Sequence, residues 1–212
     1  MSIQEVEVTL EELQSLDQDQ ILSSCKSPVY YELESAFGSI KGSNAAKLLS
    51  ATCSMHLKPE NPKAPFSPKF IMQDRRGLIA NDFSKESLNA LSQFCHSVTI
   101  PELQARLADI SWVTKVGSVE HAYIAIEAYL ESAKQLLALG ESWIYPAERI
   151  ERALRLSCMF RRDTQRPDLF EKLADFIKSE IDSKKLDDSP FYALRLLKLS
   201  HECGVGDDDW IL

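Results

Sequence analysis

The side chains able to do chemistry form a few small groups in this 212-residue chain. Cys53-x-x-His56 has the spacing of a zinc-binding pair, and on a helix the two side chains would stand one turn apart. Cys95-His96 and His201-x-Cys203 supply further thiol and imidazole donors. A closed tetrahedral site needs a second paired motif, and no Cys-x-x-Cys or His-x3-His completes the first. Buried cysteines act as small hydrophobes, so no metal and no cofactor is expected. Covalent catalysis requires a nucleophile, a base and a group that orients the base. The chain has no Gly-x-Ser-x-Gly, no Gly-rich phosphate loop and no His-Glu-x-x-His, so hydrolase and nucleotide chemistry have little support.

Charge points in one direction with a single exception. Residues 149–166 carry Arg149, Arg152, Arg155, Arg161, Arg162 and Arg166 against Glu151 and Asp163, a local net charge of +4 in a chain whose total is −8. Arg155 and Arg162, seven apart and opposite Ala153 and Phe160, read as a solvated helix face that could also meet an acidic partner. Arg106 and Asp109, one turn apart beside Trp112, read as an ion pair between stacked helices. Arg106, Asp109, Trp112, Arg155 and Arg162 are therefore the predicted binding residues. Acidic overall charge disfavours a broad nucleic-acid face, because phosphate contacts need clustered Lys and Arg.

The elements that must position these residues are helical. Capping-box spacing at Thr9/Glu12 and Thr99/Glu102, Ser-Pro starts at Ser27 and Ser189, and a cap at Ser84 flanked by Phe83 and Leu88 mark helix beginnings. Gly38, Gly117, Gly140 and Gly204 follow apolar-periodic runs, where a left-handed residue would end a helix. The spacing predicts helices over 9–24, 28–37, 43–56, 84–97, 100–116, 118–139, 146–163, 168–184 and 190–203. No segment alternates long enough to argue a strand.

In the helix over 118–139, Glu120, Glu127, Glu131 and Lys134 share one narrow stripe while Ala122, Ile126, Tyr129, Leu130 and Leu136 cover much of the rest. The helix before it also has two apolar edges. Helices buried on two sides are what stacked hairpins require. A shift of 47 residues superposes Leu103 on Ile150, Leu107 on Leu154 and Ile126 on Leu173, the pattern of a repeated hairpin. The expected fold is all-α, with antiparallel helical hairpins stacked in a short solenoid-like array of TPR or HEAT type.

Between residues 57 and 83 no good helix is read. Pro59, Pro62, Pro65 and Pro68 recur every third residue, the period of polyproline II. This favours an extended strap pinned by Phe66, Phe70 and Ile71 over a free Pro-x-x-Pro ligand. The expected organisation is N-terminal helices over 1–56, the proline-rich loop over 57–83, stacked hairpins over 84–203 and an acidic tail over 204–212. The last helix would lack a following partner, which leads us to expect a fragment of a longer protein or a second subunit, including a second copy, covering it. Five cysteines without tight spacing read as reduced thiols, the acidic start is the reverse of a signal peptide, and no membrane span is present, so a cytoplasmic protein is expected.

Two resemblances follow from short motifs. Arg195-x5-His201 resembles the ribonuclease motif of the HEPN (higher-eukaryote-and-prokaryote nucleotide-binding) superfamily, which implies a pair that positions and protonates a scissile phosphate. Leu196 stands where that family prefers a polar residue, and on one helix the two side chains point about 120° apart. The runs Ala105-Arg106-Leu107-Ala108-Asp109-Ile110-Ser111-Trp112, Ala125-Ile126-Glu127-Ala128-Tyr129-Leu130 and Glu148-Arg149-Ile150-Glu151-Arg152-Ala153-Leu154 carry the second. They resemble the N-terminal helical region of bacterial proteins that bear the domain of unknown function numbered four-two-zero-nine. That family's C-terminal Arg-Asn-x-x-x-His-Gly motif has no counterpart here, so its candidate catalytic residues do not carry over. The expected function is a non-catalytic interaction or regulatory module, the N-terminal part of a larger bacterial protein, bound to a protein partner or a missing domain. A HEPN-type ribonuclease using Arg195 and His201 is the alternative.

Overall fold

A computed structural model describes residues 7–59, 70–75, 77–142, 144–159, 166–182, 190–203 and 205. They form an all-α chain with one small sheet. The helices are α1 (Leu10–Gln14), α2 (Gln18–Ser24), α3 (Tyr30–Ser39), α4 (Asn44–Cys53), α5 (Lys85–Phe94), α6 (Pro101–Val113), α7 (Val119–Ala138), α8 (Ile144–Met159), α9 (Pro167–Asp182) and α10 (Pro190–Cys203). None of the described helices is long and apolar enough to cross a membrane. The chain divides into two compact units, Met1–Ala128 and Tyr129–Leu212, and α7 runs through the boundary.

In the first unit α3 packs on α4, α5 on α6, and α6 against both α3 and α4. Leu13, Leu33, Phe37, Leu48, Met55, Leu91, Phe94 and Ile100 are buried there. Thr9 and Glu12 form the expected capping box, and Ser84 accepts from the Ser87 amide at the start of α5. The reading of one helix over 9–24 is corrected. Asp17 caps a second start by accepting from the Gln20 amide, so the segment is α1 and α2.

Two other starts also differ. Pro101 occupies the first turn of α6 and moves the cap to Ile100, which has no side chain to accept a hydrogen bond. Thr99 instead donates its hydroxyl to Gln18 Oε1, and Glu102 turns to Arg106. At α3 the cap is Val29, and the Ser27 hydroxyl is buried without a hydrogen-bond partner.

Glycine positions divide the same way. Gly140 has φ 74 and ends α7 as expected, with Gly140 N–H bonded to Leu137 and Glu141 N–H to Leu136. Gly38 lies inside α3 and lets Ser50 approach, whose hydroxyl donates to the Glu34 carbonyl. After α6 the left-handed residue is Lys115, at φ 62, and not Gly117.

The absence of strands is also corrected. β1 (His56–Pro59) pairs antiparallel with β2 (Phe70–Gln73), with His56 opposite Gln73 and Pro59 opposite Phe70. Four-residue strands are too short to show a period-two pattern, and the partner of each comes from across the proline segment. Residues 60–69 of the expected strap lie outside the described residues. In the second unit α8 packs on α9, and α10 packs on both. Lys134 of α7 lies over the Phe176 ring of α9, 5.9 Å from its centroid.

Candidate functional site

Three of the predicted binding residues are internal. Arg106 is 6% exposed, Asp109 is fully buried, and Trp112 is half-buried. Arg106 is bonded to Glu102, one turn earlier on α6: Nε donates to Glu102 Oε1 at 2.7 Å. Nη1 donates to the Met55 carbonyl at 2.6 Å, and the guanidinium sits 5.0 Å from the centre of the Tyr30 ring. A planar, always-charged donor suits this place, since it fastens the α4–β1 junction and stacks on an aromatic face at once. Arg106 is a structural clamp within the first unit, and of the three residues Trp112 keeps exposed surface.

The arginines of the basic island that lie on α8 are likewise turned inward. Arg149, Arg152 and Arg155 are each at most 2% exposed on α8. Arg155 donates twice to Glu151 Oε1, at 3.0 Å from Nε and 2.9 Å from Nη2. Arg149 Nη1 reaches Glu148 Oε2 at 3.0 Å and the Tyr145 carbonyl at 3.1 Å. The solvated face expected at Arg155 is therefore corrected; Arg162 lies outside the described residues. Arg166 pairs with exposed Asp168, whose carboxyl is held below its ordinary range by that hydrogen bond.

Cys53 and His56 do not share a helix. Cys53 ends α4, with its thiol pushed far up by burial, while His56 opens β1 and meets the Tyr30 ring edge-on at 5.7 Å. On α10, His201 is exposed near the helix end and Cys203 is buried, its thiol raised by burial and by neighbouring Cys158. Arg195 lies on the same helix, its side chain outside the described residues.

The most organised cluster of titratable groups gathers around His121, in the first turn of α7. Its Nδ1 accepts the Ser118 amide hydrogen at 3.1 Å. A ring nitrogen that accepts is bare, so Nε2 carries the hydrogen, and it faces the Ser92 hydroxyl at 2.8 Å and the Ser92 carbonyl at 3.3 Å. Cys95 donates its thiol hydrogen to that same carbonyl at 3.1 Å. The exposed His96 ring meets the His121 ring edge-on at 5.2 Å. Gly117 makes room for the imidazole: a Cβ there would stand 2.7 Å from His121 Cγ. Burial, reinforced by His96, holds His121 below the usual imidazole range against the raising effect of the Ser92 carbonyl, and burial lifts the Cys95 thiol to about 11.

The ligand atoms of Cys95, His96 and His121 lie within 4.8 Å of one another, the one such trio found among the described residues. Thiolate and imidazole are zinc-type donors. The hydrogen bonds of His121 do not fit a metal ligand. Such a histidine offers one bare nitrogen to the ion and donates from the other to a carbonyl or carboxylate. Here the bare nitrogen is taken by an amide N–H, and the protonated one points at Ser92. The trio is better read as a helix-start lock: Ser118 is the residue before α7, and His121 reaches back to its amide as a Glu does in a capping box. The spacing Ser118-x-x-His121 is the sequence signal for it; Ser92, 29 residues away, has none.

A family model described as a domain of unknown function (DUF7380) matches residues 3–169. No curated protein and no solved structure matches the chain.

Proposed function

We propose, for a chain that belongs to the DUF7380 family, a non-catalytic role as an α-helical interaction or regulatory module. One observation carries this reading. Among the described residues, Arg106, Arg149 and Arg155 are buried and bonded to acidic neighbours, while large apolar side chains stand at the surface: Leu194 is 67% exposed, Leu139 53% and Ile144 41%. Arg106 and Arg155 hold their own helices, and their bonds to Glu102 and Glu151 give them a structural task. Exposed apolar residues are what a partner surface buries. In this reading the second unit is a short TPR- or HEAT-like stack, with α10 as the first helix of a new pair. Its packing against both α8 and α9 supports that arrangement. The resemblance of the motifs over 105–154 to a helical region attached to an effector domain favours the same reading, in which the module is the N-terminal part of a larger bacterial protein.

The test uses the intact chain and its Leu194→Asp variant as baits, with 5′-labelled RNA incubated in parallel. A defined protein retained by the parent chain and lost with Leu194→Asp, at unchanged helicity, supports the module. RNA cleaved by the parent chain and spared by His201→Ala overturns it in favour of the ribonuclease reading.

A further inference from the structure

We propose that His121 is a proton-operated latch: neutral, it ties the first turn of α7 to α5, and protonated, it opposes the Ser118 amide and frees that turn. Neutral His121 has one bare nitrogen and one N–H, and both are used, by Ser118 N–H at 3.1 Å and by Ser92 at 2.8 Å. A second proton must enter at Nδ1, because Nε2 is already protonated. Nδ1–H then meets the Ser118 N–H, donor against donor, and the bond that anchors the start of α7 is lost. The Ser92 bond survives in this state, since Nε2–H still donates.

The surroundings set how readily the second proton enters. The elements packed on the ring bring His96 and Cys95 from the turn after α5, and Glu120 from α7 itself. A charged His96 repels a charged His121 across 5.2 Å, whereas Glu120 draws the proton in. The Cys95 thiol shares the Ser92 carbonyl and stays neutral, because burial lifts it to about 11. Gly117 lets the ring sit close against the turn before α7: the ring fills the space a Cβ there would take. No nitrogen of His121 is idle in the neutral state, and the switch needs no group beyond a proton.

The experiment is an NMR titration of the full chain from pH 7.5 to 5.0, following the His121 ring and the Ser118 amide. The His121 midpoint falls below the usual imidazole range. Ser118 amide protection, corrected for intrinsic exchange, drops about tenfold or more across that midpoint, the change one unit of coupling produces. His96→Ala, at an exposed position, keeps the fold and moves the His121 midpoint upward. Gly117→Ala displaces the ring and leaves Ser118 poorly protected at both ends of the titration. Ser118 protection that stays level through the His121 transition overturns the latch, and so does a Gly117→Ala chain that protects Ser118 as the parent does.

Discussion

Taking Glu102 and Arg106 out of water costs several kcal/mol per ion, and only close geometry with every donor occupied offsets it. The 2.7 Å bond between them, the 2.6 Å bond to Met55 and the Tyr30 ring supply part of that compensation. Removing one partner is therefore worse than removing both. Glu102→Ala should lower unfolding free energy by about 3–5 kcal/mol, while Glu102→Leu with Arg106→Leu should regain most of that loss. Urea unfolding at neutral pH measures both; a single-variant loss under about 1 kcal/mol would show that the clamp carries little of the fold. This pair also shows how far the residue scale was readable. Spacing paired Arg106 with Asp109 and gave Glu102 to a capping box with Thr99, although helix periodicity makes both acids neighbours of Arg106. Burial decided between solvated and internal roles, and burial depends on elements distant in sequence. The same limit hid the His121 cluster, because Cys95-His96 gains its meaning only from a ring 25 positions downstream of His96.

At the level of elements, helix identity was legible because apolar periodicity and caps are local. The two-sided burial expected of α7 is present: Ala122, Ile126, Tyr129, Leu130 and Leu136 are buried, and Glu120, Glu131 and Lys134 are exposed. Boundaries failed where two local signals competed, as Pro101 displaced Thr99 from its cap. The hairpin β1–β2 was illegible because its register is set by a return across the proline segment. The resemblance through the motifs of 105–154 named a different domain of unknown function from the one that matches, and the helices bear on neither. Helix ends also give a paired prediction. Lys115 holds φ 62 and Gly140 φ 74, the left-handed region that costs a residue with a Cβ about 1–2 kcal/mol. Nothing lies within 4 Å of a Cβ built on Gly140, so the effect there is purely conformational. Lys115→Gly should therefore raise stability by up to about 1 kcal/mol after its entropic cost, and Gly140→Ala should lower it by about 1 kcal/mol. Equal signs in chemical denaturation would refute the pairing.

Across the whole molecule, the distribution of charge matters more than its sum. A chain of net charge −8 could still bind polyanions through one outward patch of arginine, and the segment 149–166 is the place where the sequence supplies one. The part of that patch on α8 is spent internally, while Arg161 and Arg162 lie outside the described residues. Arg149, Arg152 and Arg155 face the interior of the second unit, with Glu148 and Glu151 as salt-bridge partners of the first and third, and Arg166 is tied to Asp168. Phosphate binding draws its strength from cations that release counterions at a surface, so buried and paired arginines contribute little to it. The chain should thus pass through a heparin column at about 0.15 M salt, and its RNA affinity should show almost no dependence on salt concentration. Retention at that ionic strength, with a log-log salt slope of about −4 or steeper, would mean that several of these arginines reach the solvent. The inward placement of α8's arginines would then be wrong, and with it the reading of this molecule as one that meets its partners through apolar contact.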